Sequence, residues 1–214
     1  RISKMRIFSF VIILIPFLFA GFSYSQQVYF NNRYNLCGTY EPDAWSSSSD
    51  ILPIEDGYVL AGATVDTSTY WMRRIALMKL DLNGSIIMLR DFGNDTVDYY
   101  KGWPGSLIIK TENQFYLAGA KEYWNPERYA VGYLMSFDSL FDTIWTRSYN
   151  LNLDSNPDTN SNFAQMDICS DNDLIFGGSM NGDRMLLLRT DSLGNMRWYK
   201  TFHLDPNTLT SGYS

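Results

Sequence analysis

The chain has 214 residues, of which 45% are hydrophobic and 16% aromatic, and this composition is too apolar for an intrinsically disordered protein. Its formal net charge is −6, from 17 basic and 23 acidic residues. Because no run of Lys or Arg provides the positive surface that nucleic acids require, the sequence predicts a folded, acidic protein that does not bind nucleic acid.

The first 25 residues have the pattern of a secretory signal peptide. Lys4 and Arg6 precede an apolar stretch from Phe8 to Ala20, and Ser23-Tyr24-Ser25 forms a small-x-small cleavage site. A membrane anchor is the alternative, but the stretch is shorter than the roughly 20 apolar residues that a spanning helix needs. We therefore expect residues 1–25 to be removed and residues 26–214 to be secreted or displayed on the outer cell surface.

The exported part repeats one pattern three times. "ILPIEDGYVLAGATV" from Ile51 is echoed by "LIIKTENQFYLAGAK" from Leu107 and by "MDICSDNDLIFGGSM" from Met166. A glycine and an aspartate recur in register, at Gly62, Gly119 and Gly178 and at Asp81, Asp138 and Asp191. Repetition at a period of this size indicates a repeat architecture.

Each copy contains four short runs with strand-like alternation, separated by turn residues. The first turn contains Asp56-Gly57, Asn113-Gln114 or Asn172-Asp173, and the second contains Asp81 to Gly84 or Asp191 to Gly194. Each copy is therefore predicted to be a four-stranded antiparallel meander. In the second copy Phe141 stands where the others have glycine, so we expect a different or wider turn there.

One meander cannot bury both of its faces, and repeating it around an axis gives a β-propeller. We predict an all-β, partial propeller with blades at about 50–93, 106–150 and 164–204, and with residues 28–35 as an N-terminal closing strand. Since propellers usually have about 4–8 blades, we expect this chain to be the N-terminal part of a longer protein that supplies the remaining blades. An open unit that gains its neighbours from another chain is the alternative.

The repeat resembles a known family. "KLDLNGSIIMLRDFG" from Lys79 and "DGYVLAGAT" from Asp56 are similar to the SBBP-like and delta-60-like repeats of bacterial secreted β-propeller proteins, over about Gln27 to Leu204. The resemblance implies a propeller and a place among surface proteins that often end in a type IX secretion sorting domain. It implies no particular activity.

The residues usually used in catalysis and metal binding are sparse. His203 is the only histidine, and we expect it to be structural or exposed rather than catalytic. Cys37 and Cys169 belong to no C-x-x-C motif, and we expect two buried thiols, with a disulfide as the alternative. No catalytic residue, metal site or cofactor is predicted.

Calcium is the one alternative among cofactors. Asp81-x-Asn83 and Asp171-x-Asp173 offer alternating oxygen ligands, although both also have the character of turns.

Aromatic residues carry the functional prediction. In a meander blade, the loops between the second and third strands emerge beside the linkers between blades. These loops contain Tyr70, Trp71, Tyr123, Trp124 and Tyr129, and the linkers contain Trp45, Tyr99, Tyr100 and Trp103. Exposed aromatic residues on a rigid scaffold often bind sugars or peptides. For the linker residues Trp45 and Trp103 we favour packing between blades instead, and for the loop residues Trp71 and Trp124 binding and packing both stay open. Trp145 and Trp198 lie in predicted strands and are expected in the core.

These observations favour a non-enzymatic binding or adhesion module for an extracellular glycan or protein, with Tyr70, Trp71, Tyr123, Trp124 and Tyr129 as its ligand-binding residues. The alternatives are the propeller part of a secreted hydrolase and a structural spacer on the surface that has no ligand.

Overall fold

A computed structural model describes residues 46–65, 72–94, 96–100, 108–111, 114–124, 129–151 and 160–203. All regular secondary structure in these ranges is β-strand, which confirms the predicted all-β class for this part of the chain. The strands form three antiparallel sheets. None of the described residues forms a helix of the length and apolar character needed to cross a membrane.

Sheet 1 contains β1 (Ser46–Ile54), β2 (Gly57–Val65), β3 (Arg73–Asp81) and β4 (Ile86–Phe92). Sheet 2 contains the short strands β5 (Asp98–Tyr100) and β6 (Ile108–Lys110), which both pair with β7 (Phe115–Tyr123), followed by β8 (Tyr129–Phe137) and β9 (Thr143–Tyr149). Sheet 3 contains β10 (Ser161–Ile168), β11 (Leu174–Met180), β12 (Arg184–Thr190) and β13 (Met196–His203). In sheets 1 and 3, neighbours along the chain are thus neighbours in the sheet, as expected for a meander. In sheet 2 the place of the first strand is divided between β5 and β6, which both pair with β7.

In sheets 1 and 3 the recurring glycine lies opposite a β-bulge in the first strand. In sheet 1 the register shifts between Ser48 and Asp50, opposite Gly62, and in sheet 3 it shifts between Phe163 and Gln165, opposite Gly178. A Cβ atom on Gly178 would lie 2.0 Å from the carbonyl oxygen of Asn162. Glycine is therefore needed here because the bulged backbone approaches too closely for a side chain.

The turn between the last two strands has the same structure in all three sheets. In each, the aspartate Oδ1 accepts hydrogen bonds from the backbone N–H groups two and four residues later, at 2.7–3.0 Å. The third residue after the aspartate has a positive φ: 78° at Gly84, 61° at Phe141 and 76° at Gly194.

The expectation of a different or wider turn in the second copy is therefore wrong. Phe141 adopts the left-handed conformation that glycine adopts in the other copies, at a cost of about 1–2 kcal/mol. Its side chain is fully buried and packs edge-on against Phe137, with 5.7 Å between ring centroids. Burial of the ring offsets the backbone cost.

Two hydrophobic cores lie between the sheets. Sheets 1 and 2 share the first, which includes Val59, Ile75, Leu77, Phe115, Leu117, Tyr133 and Met135. Sheets 2 and 3 share the second, which includes Tyr116, Leu134, Tyr149, Phe163, Phe176, Leu186 and Leu188. Sheet 2 is therefore covered on both faces. In addition, β6 of sheet 2 contacts both β1 and β10, the first strands of sheets 1 and 3.

Candidate functional site

Three of the five predicted ligand-binding residues lie together at one end of sheet 2. Tyr123 and Tyr129 face each other across β7 and β8, and their rings stack with 4.9 Å between centroids and 13° between planes. Trp124 follows directly after β7 and is 50% exposed. We call these three residues the aromatic platform.

The other aromatic candidates from the loops and linkers fall largely outside this description. Tyr70, Trp71, Trp45 and Trp103 lie outside the described residues, and only the backbone of Tyr100 is described. Tyr99 is buried, with 8% exposure, and belongs to the core between sheets 1 and 2. For Tyr99 the structure therefore shows the packing role.

Lys121 lies over a pair of tyrosine rings next to the platform. The Tyr99 and Tyr133 rings meet edge-on at 5.6 Å, and the Lys121 Nζ atom lies 4.3 Å from the centroid of Tyr133 and 5.5 Å from that of Tyr99. Burial lowers the pKa of Lys121 and raises the pKa values of both phenols. The tyrosines are thus neutral at physiological pH, and their ring faces attract the ammonium group.

A buried ion cluster fixes this end of sheet 2 to sheet 1. Arg73, at the start of β3, donates from Nη2 to Asp98 Oδ2 at 2.7 Å and from Nε to Asp98 Oδ1 at 3.0 Å. The backbone N–H of Arg73 also donates to Asp98, and Glu122 Oε2 lies 3.8 Å from Arg73 Nη2. Asp98 and Glu122 are 3% and 6% exposed. Since Glu122 immediately precedes Tyr123, the cluster holds the strand end that carries the platform.

Sequence reasoning missed this cluster. Its three members come from β3, β5 and β7, and each stands in an otherwise ordinary run of strand residues. A charged residue that becomes buried has no local pattern of its own, because its burial depends on a partner that is distant in sequence. The position of Asp98 beside the linker tyrosines is the only hint that the chain offered.

The linker before sheet 3 reaches the same end of sheet 2. Asn160 Oδ1 accepts a hydrogen bond from the backbone N–H of Ala130, at the start of β8, at 2.6 Å. The backbone N–H of Asn160 donates to Asn181 Oδ1 at 2.8 Å, in the turn between β11 and β12. Linkers and loops between second and third strands therefore meet at one end of the sheets, as the meander pattern predicts.

The carboxylates of the calcium candidates accept hydrogen bonds from protein groups. Asp173 accepts a hydrogen bond from Arg189 Nε at 2.9 Å, and Asp171 pairs with Arg189 Nη2, so one guanidinium lies between the two carboxylates. Asp81 uses its Oδ1 atom to accept hydrogen bonds from its own turn. Within the described ranges, no three His, Cys, Asp or Glu residues lie close enough together to hold a metal ion.

The other chemically active side chains lie apart from the platform. His203 is exposed at the end of β13, with Nε2 3.8 Å from Asp183 Oδ2. Cys169 carries a free thiol and is half-buried, and Cys37 lies outside the described residues.

The fold and the site define an all-β repeat protein whose second sheet carries, at one end, a half-exposed tryptophan and two stacked, partly buried tyrosines. No protein-family model matches the chain, and a search of curated proteins finds no match.

Proposed function

We propose that this protein is a secreted or cell-surface β-propeller that acts as a non-enzymatic binding module, with an extracellular glycan or protein as its partner. The observation that carries the proposal is the half-exposed Trp124, which directly follows Tyr123 in the chain, together with the stacking of the Tyr123 ring on that of Tyr129. Export is supported by the signal-peptide pattern of residues 1–25.

Three features of the sheets support the propeller. Sheets 1 and 3 are four-stranded meanders, all three sheets have the same turn between their last two strands, and each shares a core with the next along the chain. Strand β6 lies between β1 and β10, the first strands of sheets 1 and 3, as an inner strand next to a central axis would.

Three features of the platform support ligand binding. Its aromatic rings offer flat apolar surface, on which the faces of sugars and the side chains of peptides pack. The Arg73 cluster restrains the strand end beneath it, so little conformational entropy is lost when a ligand is bound. Tyr129 and Trp124 also border residues 125–128 of the loop, and loops held by a rigid scaffold are the usual place for binding residues.

The test is binding of residues 26–214 to a glycan array and a peptide array, compared with Trp124→Ala, Tyr129→Ala and Trp71→Ala. Since an aromatic contact contributes about 0.5–1.5 kcal/mol, each substitution should weaken binding by roughly 2-fold to 10-fold. Leu140→Ala is the matched control, because Leu140 is 55% exposed on a turn and should not alter binding. Binding that persists unchanged in all three aromatic variants, with folding intact, would reject the platform as the site.

A further inference from the structure

Sheet 3 has a mainly apolar face directed away from sheet 2, on which Arg189 and Lys200 are charged. It carries Ile175, Met185, Leu187, Trp198 and Phe202, and we call this set the open face. Strand alternation places these side chains opposite to Leu186 and Leu188, which pack against sheet 2. Met185 and Phe202 are 54% and 50% exposed, and the other three are half-buried. Trp198 was expected in the core, but none of the cores formed by the described residues includes it.

The equivalent face of sheet 2 is covered. When sheets 2 and 3 are aligned on Asp138 and Asp191, each residue of the open face has an equivalent in sheet 2. These equivalents are Tyr116 for Ile175, Gly132 for Met185, Leu134 for Leu187, Trp145 for Trp198 and Tyr149 for Phe202. Among these sheet 2 residues, Tyr116, Leu134 and Tyr149 are buried in the core shared with sheet 3, and Trp145 packs against that core. The same face of sheet 1 is covered by sheet 2.

The turn between β12 and β13 sits on the covered face of sheet 2. Tyr149 Oη donates to the Gly194 carbonyl at 2.8 Å, and Tyr116 Oη donates to the Ser192 carbonyl at 3.1 Å. Gly194 lies so close to Trp145 that an added Cβ would be 2.8 Å from the indole. The turn of the following sheet thus covers the tryptophan of the preceding one.

We propose that the open face of sheet 3 is the docking surface for a further four-stranded sheet of this same repeat, seated with its aspartate turn over Trp198. The proposal shares the repeat architecture of the proposed function but is independent of the ligand and of the aromatic platform. Its basis is continuity: the interface between sheets 1 and 2 recurs between sheets 2 and 3, and sheet 3 presents an apolar version of the same face.

The residues in which the open face differs from the same face of sheet 2 indicate which side chains the docking sheet carries. Ile175 and Phe202 stand where sheet 2 has the two tyrosines that donate hydrogen bonds to the turn of sheet 3. The contact of sheet 3 with the turn of the docking sheet is therefore apolar, whereas the contact of sheet 2 with the turn of sheet 3 is hydrogen-bonded. Met185 replaces Gly132, whose added Cβ would lie 2.5 Å from the ring of Phe163. The docking sheet therefore has a smaller side chain than phenylalanine at the position equivalent to Phe163.

Lys200 adds a charge preference. It stands in the register of Arg147 in β9 and of Arg90 in β4, and Arg90 pairs with Asp142, the residue directly after the turn position of Phe141. An acidic residue directly after the turn glycine of the docking sheet would pair with Lys200 in the same way.

The test appends a further sheet to the chain. Residues 204–214 can serve as the linker, because they are as many as residues 150–160, which connect β9 of sheet 2 to β10 of sheet 3. A second copy of residues 161–203, with Phe163→Ala in the copy, is joined directly after Ser214. Leu187→Cys is introduced in the original sheet only, and its reaction with iodoacetamide is followed by mass spectrometry. Docking should slow this reaction at least 10-fold relative to the unextended chain, whereas the rate at Leu193→Cys, on the exposed turn, should not change.

Phe202→Lys in the original sheet should restore the fast reaction. A second extended chain, carrying residues 98–149 in place of the copy, guards against an appended sheet that fails to fold. Equal rates in the unextended chain and in both extended chains would overturn the proposal, as would protection that survives Phe202→Lys. If the cysteine at position 187 of the unextended chain reacts more slowly as the protein concentration rises, a second copy of the chain covers the open face. That result would overturn docking of an appended sheet.

Discussion

Two glycines with the same backbone conformation provide a measure of how tightly sheets 2 and 3 pack. Gly182 and Gly194 have φ values of 77° and 76°, so alanine meets the same backbone cost at both, about 1–2 kcal/mol. Their surroundings differ. An added Cβ on Gly182 meets no atom within 4 Å, whereas on Gly194 it lies 2.8 Å from the Trp145 indole and 2.9 Å from Arg147 Cγ.

Gly194→Ala should therefore destabilise the protein more than Gly182→Ala does. Forcing an extra methyl group into a packed contact costs about 1–3 kcal/mol, and this is the expected difference between the two variants. Urea unfolding curves of the two variants and the parent measure it directly. In thermal unfolding, each kcal/mol should lower Tm by about 2–4 °C for a chain of this size.

A double-mutant cycle assigns the extra cost to the indole. If the turn packs on Trp145, Gly194→Ala should cost less in a Trp145→Leu background, and the coupling free energy should be about 0.5–3 kcal/mol. Equal destabilisation by Gly182→Ala and Gly194→Ala would mean that the turn does not contact Trp145. That result would refute the packing between sheets 2 and 3, and with it the basis for the docking surface on sheet 3.

Arg73→Met should destabilise the protein by about 3–5 kcal/mol in urea, because it leaves two buried carboxylates without their cation. Arg90→Met, which removes an exposed pair, should cost less than about 1 kcal/mol, and a similar loss in both variants would contradict the buried cluster. Phe141→Gly should relieve the left-handed backbone but lose the buried ring, for a net loss of about 1–4 kcal/mol by thermal unfolding, and a gain in stability would contradict the offset. Burial raises the folded-state pKa of Tyr133 and Tyr149 above the unfolded value, so their contribution is complete below about pH 10 and is lost as pH rises further. Absorbance at 295 nm should show these phenols ionising together with alkaline unfolding, and free titration in the folded protein near pH 10 would contradict their burial.

The sequence by itself determined the local architecture, since alternation and turn chemistry depend on residues close together in the chain. The four-strand pattern appears in sheets 1 and 3, and the aspartates at 81 and 191 form the turns that their type predicts. The recurring glycine was visible as a pattern, but its reason, the bulge against the first strand, needs the register of two strands.

The sequence determined the candidate binding site less fully than the strands and turns. The positions of Tyr123, Trp124 and Tyr129 at one loop follow from the order of strands. Which aromatic side chains are exposed does not, because exposure depends on what the neighbouring sheet places over each one. Tyr99 is buried by sheet 1 and Tyr133, while Trp124 is half-exposed.

Only the tertiary structure decided the features in which distant residues meet. The Arg73 and Asp98 pair spans 25 residues, and Tyr149 reaches Gly194 across 45, separations over which no local pattern operates. Phe141 gives the clearest case. A phenylalanine at this position argued against a glycine-type turn, because a positive φ is sterically unfavourable for a residue with a side chain. Burial of the ring against Phe137 outweighs that cost. Local rules fix strands and turns, and the packing of one sheet on the next decides which side chains are exposed and which are buried.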